Sequence, residues 1–213
     1  MRTFTTNDLL FLIDAAQYTL LLSIASLLLG GLLAIGVCLL RLSKDPVSRI
    51  IGTAIVTLGQ GIPPLVLLFL SYFGLALSGI NVSAFGASCL ALSFFTAVYL
   101  GEIWRSSINA LHKEQWEAAE SLAMSWGQQM IYVIVPQAIK MALPPSIGFI
   151  VQLVKNTSLA SIVGVLELTK AGQMVNNATF QSFEVFLVVS LLYFAICFPL
   201  SVLSRRLEAR LLT

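Results

Sequence analysis

Five near-continuous apolar runs dominate this chain. They cover Tyr18 to Leu40, Ile50 to Leu77, Val82 to Ile103, Ile139 to Val154 continuing beyond a polar break to Leu166, and Phe183 to Leu203. A helix needs about 20 mostly apolar residues to cross a bilayer, so each run has about the length of one crossing. Only 10% of the 213 residues are charged and 58% are apolar. A soluble domain carries about 25% charged residues, so this chain cannot cover itself with a water-compatible surface. The expected fold is an all-α polytopic membrane protein with about five transmembrane helices, acting as a single domain over residues 1–213. The net charge of +2 offers no footprint for nucleic acid, and the surrounding partner is membrane lipid. The three cysteines stand singly inside apolar runs with no metal-ligand spacing and read as small apolar fillers. Arg2, Asp8 and Asp14 precede the first run with no small-residue cleavage site, unlike a cleaved signal peptide.

Basic residues give the orientation. With the N-terminus outside, nine of the twelve Lys and Arg fall on the cytoplasmic side: Arg41, Lys44, Arg49, Arg105, Lys113, Lys140, Arg205, Arg206 and Arg210. The positive-inside rule therefore predicts an N-out, C-in protein of the bacterial inner membrane. It also places the long polar stretch of about 105–140 in the cytoplasm.

Within that stretch, Trp116, Ala119, Leu122, Ala123 and Trp126 form one apolar stripe at helical spacing. Ser125 followed by Gln128 is a capping-box pattern, predicting a helix, a turn and a second helix before Pro136 near the entry to the fourth span. An interfacial helix carries basic residues on its polar face, but this one carries Glu114, Glu117 and Glu120 against one lysine. That composition favours docking to a cytoplasmic partner.

Glu117-Ala118-Ala119, then Ala123, then Val133-Ile134-Val135-Pro136 resembles the "EAA" loop of binding-protein-dependent ABC importer permeases. Gly101-Glu102-Ile103-Trp104-Arg105, Gln115-Trp116, Pro136-Gln137-Ala138-Ile139 and Lys155-Asn156-Thr157-Ser158 resemble the polar amino-acid branch of that family. The resemblance implies a type I importer fold with a coupling helix. It implies a permease subunit, paired with a second permease chain, that moves a polar L-amino acid. A cytoplasmic ATPase dimer would dock through Glu117, Ala118, Ala119, Leu122, Ala123 and Pro136, and a periplasmic or extracellular binding protein would deliver substrate. ATP and magnesium belong to the ATPase. This chain carries no GxxxxGK[ST] loop and is not expected to be an enzyme or to hold a cofactor.

Two departures stand out. Ala123 occupies a glycine place where a positive φ is expected, which costs alanine about 1 kcal/mol. Gln60-Gly61-Ile62-Pro63-Pro64-Leu65-Val66-Leu67 replaces a pattern richer in polar groups, R-G-T-P-L-L-V-Q. That change leans toward a heterodimer over a homodimer. Lys155, Asn156, Thr157 and Ser158 interrupt the fourth run, and with Gln60 they are candidates for the substrate path along a discontinuous helix. The alternative is a snorkelling Lys155 and a Thr157 that bonds its own helix. Glu102 and Arg105 are spaced for an i,i+3 ion pair or a gating contact. No carboxylate neighbours Lys155, which leans toward a neutral or acidic substrate. A permease for another small nutrient and an ion-coupled carrier are the rival readings, and scattered single polar residues argue against a membrane enzyme.

Overall fold

The computed structural model describes residues 2–211. Helix α1 spans Thr6–Leu42, α2 Pro46–Gly61, α3 Pro64–Leu77, α4 Ala84–Asn109 and α5 Lys113–Ser121. Helix α6 runs Trp126–Ser161, α7 Leu168–Thr179 and α8 Ser182–Leu211. No strand occurs among the described residues. Four helices, α1, α4, α6 and α8, are each long and apolar enough to cross a membrane, and α2 with α3, bent at a short break, makes a fifth crossing when the pair is counted as one span. The all-α polytopic architecture expected from the sequence is therefore present, with four to five apolar spans among the described residues.

Several boundaries differ from the expectation. Helix α1 begins twelve residues before Tyr18, because Asp8 turns back to cap it. The Asp8 carboxylate accepts from the Thr5 N–H at 2.9 Å and from Arg2 at 2.6 and 2.7 Å. The apolar run from Ile50 to Leu77 is broken by a 102° elbow between α2 and α3. Ile62 and Pro63 sit there in extended backbone, and Pro64 lacks the N–H that would carry the α2 ladder onward. At its other end α2 is capped by Asp45, which accepts from the Ser48 N–H at 2.7 Å. Its bonds to Ser48 hold the Asp45 carboxyl below the usual carboxylate range.

The fourth span is the largest correction. It does not begin near Ile139, and the second short helix of the loop is not separate from it. Helix α6 runs unbroken through Pro136, Pro144 and Pro145, with a π-helical stretch at Met130–Ile134. A proline ring collides with the carbonyl four residues earlier, here Tyr132, and the wider turn at that point makes room for it. The helix also ends where a discontinuous span was expected to resume. Thr157–Ser161 is a 3-10 turn, Gly164 takes φ +94°, and Leu159 to Leu166 leads away into α7 instead of completing a crossing.

Packing follows the small residues. Along α1, Ser23, Ser26, Gly30, Ala34 and Val37 are buried, and α1 lies against α4 over most of its length. A Cβ on Gly30 would fall 2.5 Å from the Ser93 carbonyl oxygen and 2.5 Å from Thr96 Cβ. Such close approach lets van der Waals contact hold helices together where lipid removes the hydrophobic drive. The main core joins Leu22, Leu68, Leu92, Phe95, Phe149 and Leu153. A second cluster ties the start of α1 to α7 and α8 through Leu12, Leu168, Val175 and Val185. So α7 sits at one end of the bundle and α5 at the other.

Candidate docking helix and polar sites

Helix α5 is anchored on one side and open on the other. Trp116 packs onto the cluster of Cys38, Ile108, Met130, Ile134 and Ala138, and Ala119 is buried. The Gln137 amide donates to Gln115 Oε1 at 3.0 Å, stitching α5 to α6. The predicted apolar stripe thus divides. Trp116 and Ala119 turn inward, while Leu122, Ala123 and Trp126 face outward together with Glu117 and Ala118. Leu122 is 76% exposed, a large apolar side chain displayed at the tip of a polar loop.

The turn that presents this surface closes on Ala123, which takes φ +56°. Its N–H bonds to the Glu120 carbonyl at 2.8 Å, and the Met124 N–H bonds to Ala119 at 3.3 Å. These two bonds form a Schellman closure, whose left-handed position normally belongs to glycine. The alanine itself bears the left-handed backbone. Ser125 then starts α6 as its spacing with Gln128 predicted, its N–H bonding Gln128 Oε1 at 2.8 Å. Glu117 pairs with Lys113 at 2.8 Å, both well exposed. An exposed pair of this kind is worth about 0–1 kcal/mol and is easily exchanged for another partner. Pro136 lies exposed just beyond the π-helical stretch, and His112 is an exposed residue preceding α5.

Glu102 and Arg105 form the i,i+3 pair, with Arg105 Nε donating at 2.9 Å. Sequence spacing missed a third member. Arg41 of α1 donates from Nε to the other Glu102 oxygen at 3.2 Å and also bonds the Thr53 hydroxyl of α2. One carboxylate therefore joins the ends of α1 and α4, and Arg41 extends the network to α2. Residues 41 and 102 are 61 apart in the chain, so no local pattern could pair them.

Toward the α7 end, Lys155 and Gln152 are exposed on α6, and Asn156 is half-buried. Thr157 is buried and donates to the Val154 carbonyl at 2.7 Å, while Ser158 donates to Lys155 O at 2.7 Å. Both hydroxyls thus serve their own helix, and the Asn156 amide nitrogen has no partner. Gln60 is exposed at the elbow. Ile62 beside it and Leu159 and Ala160 beyond Ser158 belong to one apolar cluster, so the fold brings the elbow and the polar turn together.

A further carboxylate was not singled out in the sequence. Glu167 is fully buried and caps α7, accepting from the N–H groups of Thr169 and Lys170 at 2.9 and 2.8 Å and from the Tyr193 hydroxyl at 2.7 Å. The Leu168 N–H donates to Thr19 of α1 at 3.1 Å. An acidic residue opening a polar stretch is a usable cap signal; the apolar text before it concealed the helix that follows. Among the described residues no group of three His, Cys, Asp or Glu could hold a metal.

Comparison with known proteins converges on one family. Residues 26–213 match the family described as binding-protein-dependent transport system inner membrane component. A probable amino-acid ABC transporter permease of Bacillus subtilis, YckA, is 36% identical over 94% of this chain and 88% of its own length. The arginine ABC transporter permease ArtQ of Haemophilus influenzae is 34% identical over 92% and 91%. The crystal structure of an amino acid ABC transporter with histidines superposes with a TM-score of 0.88 at 31% identity, over 94% of both chains. The MetNI methionine transporter shares the fold, with a TM-score of 0.76 at 17% identity. This chain belongs to the family of inner-membrane components of binding-protein-dependent transport systems.

Proposed function

We infer that this chain is the permease subunit of an ATP-binding-cassette importer that moves a polar L-amino acid across the bacterial inner membrane. The observation that carries the reading is α5, a short helix held to α6 from behind while Glu117, Ala118, Leu122 and Ala123 face outward. The small side chain of Ala118 allows a backbone to seat closely in a groove of an ATPase, and Glu117 can leave Lys113 for a basic group at its rim; Ala119, expected on the same surface, instead faces the bundle and is buried there. Hydrolysis of magnesium-bound ATP takes place in that partner dimer. A second permease chain completes the pathway, with a different chain favoured over a copy because Gln60 to Leu67 lacks the usual polar groups. A substrate-binding protein supplies the amino acid at the α7 face. Lys155 and Asn156, with an exposed ammonium and an unpartnered amide, are donors suited to an α-carboxylate, and Gln60 borders the same region. The names of the relatives, spanning glutamine, arginine and cystine permeases, support the amino-acid class.

The test is capture of the ATPase. The chain is co-expressed with its genomic neighbours and purified by a tag on itself. The wild type recovers an ATPase and a second permease chain, and Glu117→Lys loses the ATPase at least tenfold while keeping the permease partner, a change of about 1.4 kcal/mol or more. A wild-type chain that recovers no ATPase overturns the reading.

A further inference from the structure

Between α1, α4 and the first half of α6 lies a cavity of about 490 Å³, open on one side. Its walls are aliphatic, including Ile35, Leu39, Ile108, Ile139, Ala142 and Leu143. The polar groups on the wall look after themselves: the Trp104 indole N–H donates to Ser146 Oγ at 3.2 Å, and Cys38 is a buried free thiol. Nothing in the wall asks for water, and an apolar cavity of this kind takes an apolar guest.

Ile35 and Leu39 belong to a longer feature. Leu21, Ile24, Leu28, Leu32, Ile35 and Leu39 are all exposed and recur every three or four residues along about the second half of α1. Contacts between membrane helices favour small residues, and the buried small residues of α1, Ser23, Ser26, Gly30 and Ala34, lie on its other side. The stripe has none, so its natural cover is acyl chain, and the cavity is a recess off that surface. On the facing helix Ile139 and Leu143 are 52% and 44% exposed. The rim toward α5 is basic. Lys140 follows wall residue Ile139, Lys44 lies two residues after wall residue Leu42, and both lysines are exposed. Neither meets a carboxylate among the described residues, for Asp45 is committed to Ser48 and Glu102 to Arg41 and Arg105.

We propose that this cavity binds one acyl chain of an anionic phospholipid, whose headgroup phosphate is held by Lys44 and Lys140. The proposal does not depend on the transported substrate or on the ATPase contact.

Tryptophan fluorescence reads the site directly. The chain has three tryptophans, so Trp116→Phe with Trp126→Phe leaves Trp104 alone, at the wall of the cavity. The full chain carrying these two changes is reconstituted in vesicles containing phosphatidylcholine or phosphatidylglycerol with brominated acyl chains. Brominated phosphatidylglycerol is expected to quench Trp104 at about one-thirtieth the mole fraction that phosphatidylcholine needs, the factor that two basic groups at about 1 kcal/mol each are worth at an anionic surface. Ala142→Phe, which fills the cavity, removes the quenching by both lipids. Lys44→Glu with Lys140→Glu, at exposed positions that leave folding intact, abolishes only the preference. Equal quenching by the two lipids in the unaltered rim overturns the anionic headgroup. Absence of quenching by either, or quenching that survives Ala142→Phe in a folded chain, overturns the acyl site.

Discussion

At the residue scale, Ala123 shows a rule broken in one place. A left-handed backbone at an alanine costs of order 1 kcal/mol relative to glycine, and both hydrogen bonds of the turn are nonetheless made. Ala123→Gly is therefore expected to raise the unfolding free energy by about 0.5–1 kcal/mol, less the entropy glycine adds to the unfolded chain. A thermal melt of the purified chain in detergent reads that gain. Ala123→Val, branched at Cβ, should lower the midpoint. Glu102 illustrates the reverse situation, one carboxylate serving two guanidinium groups. Glu102→Gln leaves both arginines part-buried without a counter-charge and is expected to cost about 1–3 kcal/mol. Glu102→Gln combined with Arg41→Gln should recover part of that loss in a double-mutant cycle. The sequence disclosed the Glu102–Arg105 half of this network because it lies within one helical turn. Arg41 and the Glu167–Tyr193 bond came only with the fold, since each joins helices far apart in the chain.

At the element scale, apolar run length told how many spans to expect but not where their helices begin or end. Hydropathy marks the lipid-facing part, whereas helix ends answer to caps, and polar caps lie outside the apolar run. Asp8 extends α1 outward, and Ser125 starts α6 thirteen residues before its apolar run was placed. Helix α7 was missed for the same reason: its buried face of Leu168, Ala171, Gly172 and Val175 is too short to register as a span and alternates with Thr169, Lys170 and Gln173. The α1–α4 seam permits a paired test. A Cβ at Gly30 meets backbone and Thr96 at 2.5 Å, whereas one at Gly31 meets nothing within 4 Å. Gly30→Ala is expected to destabilise the bundle by about 1–3 kcal/mol through overpacking. Gly31→Ala should be neutral or slightly stabilising in the same melt, since helix propensity favours alanine.

At the scale of the whole molecule, nine of the twelve basic residues gather toward the α5 end, and this asymmetry fixes the expected orientation more firmly than any single span does. Ser78→Cys, in the uncharged turn after α3, is expected to react with a membrane-impermeant maleimide in intact cells. His112→Cys, beside α5, should react only once the membrane is opened. The opposite pattern would reverse the assignment of both faces and remove α5 from the reach of a cytoplasmic ATPase. The family itself was legible from α5 and its surroundings, because the docking text is local and continuous. The neighbourhood of Gln60 and the Lys155–Asn156 turn was not, because the two lie on separate elements that only the packing of Ile62 with Leu159 and Ala160 brings together.

Helix α6 carries the 36 residues from Trp126 to Ser161 without a break, a rod of about 54 Å at 1.5 Å per residue. The apolar thickness of a bilayer is about 30 Å, so a long arm of that rod stands clear of the lipid on the side where α5 is stitched to it. A rod pivoting within the membrane is a lever whose two tips travel in opposite directions. Were α6 to pivot so, its α5 end and the turn holding Lys155 and Asn156 would move in opposite senses.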